Sequence, residues 1–343
     1  MGTRKRRVSV IYFISKLVKW DDLRMKIISN PTQVDIEKAA KALIDGQLVA
    51  FPTETVYGLG ADATNEKAVS RIYSVKGRPS DHPLIVHISS INQLEKWAID
   101  IQEYAIKLAR DFWPGPMTLI LTRSALAKDY ITGGQSNVGL RVPAQPIALA
   151  LLADFEKNGG LGIAAPSANR FGAVSPTIAS DVCEELQTYL NREDLILDGG
   201  QCSVGLESTI IDCTGSQPII LRPGAITKEM LNHSMNIEGV KSNYKSDIRV
   251  SGSKESHYSP KAAVFIDLPP SPGDGFIAMN DIPTPNGAIR LASPINIEQY
   301  AIVLYNALRL GDKKELKRIY VIQPVDSGLA VAIRDRLSKA ASR

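Results

Sequence analysis

The segment Val49-Ala50-Phe51-Pro52-Thr53-Glu54-Thr55-Val56-Tyr57-Gly58-Leu59-Gly60-Ala61-Asp62-Ala63 decides which kind of α/β protein this chain can be. Its last six residues match the G-x-G-x-x-A form of the dinucleotide fingerprint, and an apolar run that reads as a buried strand, residues 48–51, precedes it. That fingerprint needs its first glycine almost at the end of the strand, with a helix opening inside the motif. Here Pro52 to Tyr57 intervene and no helical pattern starts within the glycines. The stretch therefore reads as a polar loop leaving a buried strand, and a nicotinamide or flavin site is set aside. A G-x-x-x-x-G-K-[ST] phosphate loop does not occur in the chain.

Working outward, residues 34–44 read as a helix with Ile36, Ala40, Leu43 and Ile44 on one face, Thr32 or Asn30 to cap it and Gly46 to end it. A helix near 66–74 leads through Lys76-Gly77-Arg78-Pro79 into a strand at 84–88. Further strand-like runs fall at 118–122, 138–142, 161–165, 195–197, 209–212 and 219–221, with helical patterns near 102–112, 146–153 and 180–190. Many of these strands lie too close in sequence for a crossover helix, so the sheet is expected to be mixed. Residues from about 232 to 256 are polar and aperiodic and read as a linker. Beyond it, strands at 263–268 and 319–323 and helices at 297–310 and 329–341 make a second, small α/β unit.

A length of 343 residues suits two domains, and 44% hydrophobic with 22% charged residues is enough to bury a core. Disordered and fibrous classes drop out. The net charge of +4 suggests a nucleic-acid partner until it is mapped. Residues 1–24 hold seven basic and two acidic side chains, which leaves 33 basic and 34 acidic residues elsewhere, a nearly neutral body. The basic stretch can be a signal peptide, a nucleic-acid-binding tail or residues ahead of a natural start. Its apolar run from Val8 to Ile14 is short and lacks a cleavage motif, which favours a dispensable extension ahead of a start at Met25. No run of about 20 apolar residues exists for a membrane span. Cys183, Cys202 and Cys213 are odd in number and scattered, as befits free thiols in the cytoplasm. His82 and His87 lack the spacing of a helical zinc site, so no protein-held metal is expected.

Polar residues at strand ends carry the chemistry. The loop 51–60, Lys76 with Arg78, His87, Arg141 inside an apolar strand, and Ala164-Ala165-Pro166-Ser167-Ala168-Asn169 all fall where an α/β sheet gathers its ligand-binding loops. Each alone has a plainer reading: a solvated turn, an edge-strand charge, turn formers after a proline, a hydrogen-bonded core histidine, a surface carboxylate at Glu54. Together they describe a cationic, hydroxyl-lined pocket without a nucleophile triad, suited to a polyanion.

The ordered motifs FPTETVYGLG, Lys76 and Arg78 ahead of HPLIVHI, WPGPMTLIL, LRVP, AAPSAN, GLESTIID and LRPG resemble the YrdC-like threonylcarbamoyl-AMP synthases over residues 31 to about 230. His257-Tyr258-Ser259-Pro260 and the tail with Gly328-Leu329 and Asp335-Arg336-Leu337 look like the long form of that family. The resemblance implies a basic extension (1–30), a twisted mixed-sheet catalytic domain (31–230), a linker or lid (231–261) and a small Rossmann-like domain (262–343). It implies an enzyme making L-threonylcarbamoyl-AMP and pyrophosphate from L-threonine, bicarbonate or CO2, and ATP, the first step of the threonylcarbamoyl modification of adenosine 37 in tRNA. Mg2+ would come with ATP, no organic cofactor is implied, and a tRNA-modifying transferase would receive the product.

By motif, the family's catalytic set falls on Lys76, Arg78, Ser167 and Asn169, with Lys76 and Arg78 at the phosphates. ATP binding falls on Arg78, His82, Asn137, Ser167, Ser175 and Arg222, and threonine binding on Thr53, His87, Arg141, the Ala165 backbone and Ser208. Two departures stand out: His82 replaces an asparagine of many relatives, and Ser253-Lys254-Glu255-Ser256 replaces a basic or aromatic lid run. Closure of a lid would exclude water from a labile acyl-adenylate. An RNA-binding module of the same fold is the main rival, weakened by the neutral body and the lack of aromatic residues interleaved with cations. A carbamoyl-phosphate enzyme is a second rival, and the zinc-finger cysteines of that fusion are missing.

Overall fold

The computed structural model describes residues 26–244, 246–252, 258–325 and 327–342. The N-terminal basic stretch before residue 26, the segment Ser253 to Ser256 and His257 of the linker motif lie outside the described residues.

Short β-forming runs alternate with amphipathic helices through the first two thirds of the chain. In order they give β1 (Lys26–Ser29), α1 (Gln33–Ile44), β2 (Val49–Phe51), β3 (Gly58–Asp62), α2 (Glu66–Lys76), β4 (Ile85–His87), α3 (Leu94–Trp97), α4 (Glu103–Phe112) and β5 (Met117–Thr122). There follow α5 (Asp129–Thr132), β6 (Asn137–Arg141), α6 (Pro146–Lys157), β7 (Ile163–Ala164), α7 (Ala179–Leu186), β8 (Leu195–Asp198), β9 (Thr209–Asp212), β10 (Ile219–Arg222), α8 (Lys228–Met235) and β11 (Lys241–Ser242). The strands form one 11-stranded sheet in the order β1-β8-β2-β3-β7-β4-β6-β5-β9-β10-β11. Its pairs are of both senses: β4 and β6 run parallel, whereas β2 and β3, and β5 and β6, run antiparallel. The mixed sheet expected from the short connections is the one observed.

Local chemistry explains the element ends. Thr32 and Asp35 form a reciprocal capping box at the start of α1. Gly77 ends α2 in the left-handed conformation at φ +61°, which a residue without a Cβ adopts at least cost. The glycines that imitated a dinucleotide loop lie inside β3. A Cβ on Gly60 would come within 2.8 Å of both Phe51 and Ile163 side chains, so close packing within the sheet is what glycine serves there. Lys26–Ser29, assigned from sequence to the extension, instead forms an edge strand in parallel register with β8.

The small unit consists of β12 (Ala263–Ile266), β13 (Gly275–Ile277), β14 (Ile289–Ala292), α9 (Ile297–Lys313), β15 (Arg318–Val321) and α10 (Ala330–Ala341). Its four strands are all parallel, in the order β12-β15-β13-β14. Sequence periodicity found α9, α10, β12 and β15 but not β13 and β14, which are short and flanked by glycine and proline.

The two units share a core: Val56, Val174 and Leu206 of the large one cluster with Tyr258, Tyr300, Leu304, Tyr305 and Ile333. At the edge of this contact Lys313 pairs with Asp181 at 2.9 Å and Arg309 with Glu185 at 3.2 Å. The segment read as a linker is structured where described. The end of α8 lies within it, β11 pairs with β10, and Val250 is buried against Ile120, Ile210 and Leu221 of the sheet. Among the described residues no helix is long and apolar enough to cross a membrane.

Candidate active site

The strand ends of β2, β4, β6, β7 and β10 converge on one cavity, the place where an α/β sheet gathers its ligand-binding loops. Eight of the residues singled out from the sequence line it: Thr53, Arg78, His87, Arg141, Ala165, Ser167, Ser208 and Arg222. Three guanidinium groups and one carboxylate, Glu207, therefore face a common space.

His87 and Arg141 meet there because β4 and β6 are parallel with these two residues in register. Arg141 is buried, and its guanidinium donates to Glu54 Oε1 at 2.7 Å, Thr55 Oγ1 at 2.9 Å and the Gly115 carbonyl at 3.2 Å. Glu54, read from sequence as a surface carboxylate, is in fact 6% exposed and completes this buried pair while its other oxygen accepts from the Ala144 N–H. A desolvated charge requires such compensation. His87 sits edge-on to Phe51. Burial, reinforced by the Arg141 charge, pushes its pKa down to about 3, so the ring is a neutral imidazole at any working pH. Its Nδ1 is buried without a hydrogen-bond partner among the described residues.

Arg78 leaves the glycine turn after α2 and points into the cavity. It donates to the Pro83 carbonyl at 2.9 Å and to Ser251 Oγ at 3.2 Å, so the linker already rests on it. Burial lowers its pKa to about 10, with Tyr73 and Tyr258 opposing, and it stays charged. Arg222, on β10, donates twice to the Ser208 carbonyl, at 2.8 and 3.1 Å, and once to the Ser251 carbonyl at 2.8 Å. Ser208 Oγ in turn lies 2.7 Å from Thr118 Oγ1. The Thr53 hydroxyl donates to the Val56 carbonyl at 2.6 Å and shapes the turn of the 51–60 loop.

Five other residues named from sequence do not line this cavity. Lys76, expected at the phosphates, is 2% exposed and donates to the carbonyls of Ser167 and Asn169. Burial holds its pKa well below the usual lysine value. It pins the 164–169 loop from behind. Asn169 donates to the carbonyls of Arg170 and Ala173, and Ser175 donates to Glu207 Oε1 at 2.6 Å. The His82 ring packs edge-on against Phe171, and its carbonyl accepts from Arg78 and Tyr73. Asn137 borders a second, narrow cavity walled by Ile85, Ile120, Ile210 and Val250. The two cavities meet at Ile85 and Ser251.

Sequence reading gave no site role to Glu54, Thr55, Glu207, Ser251 or Tyr258. Glu207 could have been found from its place beside Ser208 in the quoted GLESTIID run. The others gain their roles only through distant partners. Among the described residues no three His, Cys, Asp or Glu side chains are grouped to hold a metal ion. Cys183, Cys202 and Cys213 are not joined in disulfides among the described residues.

The chain is similar to known proteins over most of its length. The Sua5/YciO/YrdC family model, described as "Telomere recombination", matches residues 41–224. A second model, the C-terminal domain of threonylcarbamoyl-AMP synthase, matches residues 226–342. The chain is 39% identical over 324 residues to a threonylcarbamoyl-AMP synthase of Pyrococcus abyssi, covering 89% of this chain and 93% of that one. It is 38% identical over 341 residues to the threonylcarbamoyl-AMP synthase of Bacillus subtilis, covering 93% and 96%. In three dimensions it is similar to the crystal structure of P. abyssi Sua5 complexed with L-threonine, with a TM-score of 0.83 at 37% identity, over 92% of this chain and 97% of the other.

Proposed function

Because the chain belongs to the Sua5/YrdC family of threonylcarbamoyl-AMP synthases, we propose that its cavity joins L-threonine, CO2 or bicarbonate, and ATP into L-threonylcarbamoyl-AMP. The enzyme performs the first step toward the threonylcarbamoyl modification of tRNA. The observation that carries this reading is the meeting of Arg78, Arg141 and Arg222 with the hydroxyls of Ser167 and Ser208 around one neutral histidine. The carbamate of threonine and ATP are both anions, and three fixed cations let them approach each other.

The deprotonated amine of threonine adds to CO2, forming a carbamate and releasing one proton. A carbamate oxygen then attacks the α-phosphorus of ATP in line with the bond to the β-phosphate, and pyrophosphate leaves. Such a transfer depends on position and charge neutralisation and needs no covalent protein intermediate. Arg78 and Arg222, at the end of the cavity that adjoins the apolar slot, take the phosphates. The adenine base is assigned to the side of Asn137, against the apolar wall of Ile85, Ile120 and Val250. Ser167 reaches the α-phosphate side of the cavity. Lys76, Asn169 and Ser175 act on this region by holding its loop and wall.

Threonine lies at the opposite end. Arg141 uses three of its donors on Glu54, Thr55 and Gly115, and a guanidinium has five, so donors remain for the threonine carboxylate. Neutral His87, with its free Nδ1, and the Thr53 and Ala165 groups orient the amine and hydroxyl, and Ser208, which accepts from Arg222 at 3.2 Å, adds its hydroxyl from the boundary between the two ends. Mg2+ enters with the triphosphate as part of the substrate. The acyl-adenylate passes to a transferase acting on tRNA in the cytoplasm, a setting that suits three cysteines outside any disulfide. Incubating the protein with ATP, threonine, bicarbonate and Mg2+ should give threonine-dependent pyrophosphate release. No release, with tight salt-sensitive RNA binding in its place, would overturn the reading.

A further inference from the structure

Glu207 lines the cavity, and both oxygens of its carboxylate accept hydrogen bonds. Its Oε1 accepts from Ser175 Oγ at 2.6 Å, and its Oε2 accepts from Tyr305 Oη at 2.8 Å and Arg336 Nε at 2.9 Å. Burial alone would raise its pKa, but the Arg336 and Arg222 charges and the Ser175 hydroxyl bring it down to about 2. A carboxylate so saturated is a poor proton acceptor, so general-base chemistry is not its part.

Two of its three donors belong to the small domain. Arg336, on α10, is 1% exposed and reaches further. Its Nη2 donates to the Pro223 carbonyl at 3.0 Å and to the Glu207 carbonyl at 3.4 Å. Glu207 precedes Ser208, and Pro223 follows Arg222. One buried guanidinium thus grips both chain segments that carry a phosphate-facing cation and its hydroxyl neighbour. Adhesion between two domains does not need this, since apolar contacts serve as well and avoid the desolvation of a charge. The peripheral pair Lys313–Asp181 shows the contrast: it spans the same interface, yet neither residue lines the cavity.

We propose that Arg336 and Tyr305 are positioning residues for the anion end of the cavity, and that the small domain completes the site by fixing Glu207, and through it Ser208 and Arg222. The inference rests on the proposed ATP site. Loss of either residue weakens ATP binding without touching the nucleotide.

The experiment uses the full-length chain and four proteins: wild type, Tyr305→Phe, Arg336→Met and Lys313→Met. ATP affinity is measured by calorimetry, and KM and kcat by pyrophosphate release. Tyr305→Phe keeps the ring and removes one hydrogen bond to a charged group, so Kd and KM for ATP should rise several-fold. Arg336→Met should raise them about tenfold or more, the scale of losing charge-assisted bonds in a buried network. Lys313→Met should bind ATP as wild type does.

A protein that merely folds less well shows lower apparent kcat at unchanged KM, whereas lost positioning shows in KM and Kd. If Arg336→Met does not fold, Tyr305→Phe decides by the same readout. Wild-type affinity in Tyr305→Phe, or an equal loss in Lys313→Met, overturns the inference. Wild type that binds ATP but releases no pyrophosphate overturns the reaction and leaves the binding comparison to judge the positioning. Wild type that binds no ATP overturns both.

Discussion

His87 ties the stability of the protein to pH in a way that can be isolated. Its folded-state pKa is about 3 against 6.5 for the exposed group. A histidine with a depressed folded pKa binds its proton more readily in the unfolded chain, so it contributes fully above pH 6.5 and progressively less as pH falls toward 3. Within that window each pH unit removes about 1.4 kcal/mol. Between pH 6.5 and pH 5 the loss is about 2 kcal/mol, while most carboxylates have yet to titrate.

The check is urea unfolding at several pH values from about 8 to about 5, for wild type and His87→Gln. Trp97 and Trp113, both in the core of the large domain, report its unfolding by fluorescence. Glutamine does not titrate, so the free-energy difference between the two proteins should shrink by about 2 kcal/mol over this range, whatever its value at pH 8. Two parallel curves would refute the reasoning: His87 would then titrate as it does in water, and the neutral, buried ring facing the cavity would not exist. The same neutrality predicts that threonine-dependent turnover carries no inflection from this histidine between pH 8 and pH 5.

Four further outcomes follow from the geometry. Arg78→Ala should lower pyrophosphate release at least about 100-fold by removing a cation from the developing charge, with the circular dichroism of wild type retained; near-normal turnover would contradict the phosphate role. Glu54→Ala should destabilise by about 3 kcal/mol or more because it strands the buried Arg141 charge. Lys107→Ala, which breaks the exposed pair with Asp111, should cost under about 1 kcal/mol in the same melts. In Gly205→Ala the new Cβ would lie 2.5 Å from Ile302 Cα, at φ +78°. We expect a loss of about 1–3 kcal/mol and faster proteolysis between the two domains, and unchanged cleavage would show that the contact yields freely.

Much of the molecule could be read from residues in order. Helices α1, α4 and α9 announce themselves by periodicity because each buries one face. Strands β5, β6 and β9 do so through runs of apolar and β-branched residues. β3 escaped because its glycines carry no strand preference; they are there for the close approach of Phe51 and Ile163, which belong to other strands. β1 escaped because a short edge strand has only its partner, β8, to define it.

Sequence by itself determined the ordered motifs that mark the family, the two-domain count and the loops that supply cations and hydroxyls. What it could not determine is which way each cation turns. Lys76 and Arg78 are two residues apart, yet the left-handed Gly77 between them sends one ammonium into the carbonyls of Ser167 and Asn169 and leaves the other group in the cavity. Glu207 likewise finds its partners 98 and 129 positions away. A buried charge is stable only where all its hydrogen-bonding groups are met, and those partners come together only when the small domain packs against the large one.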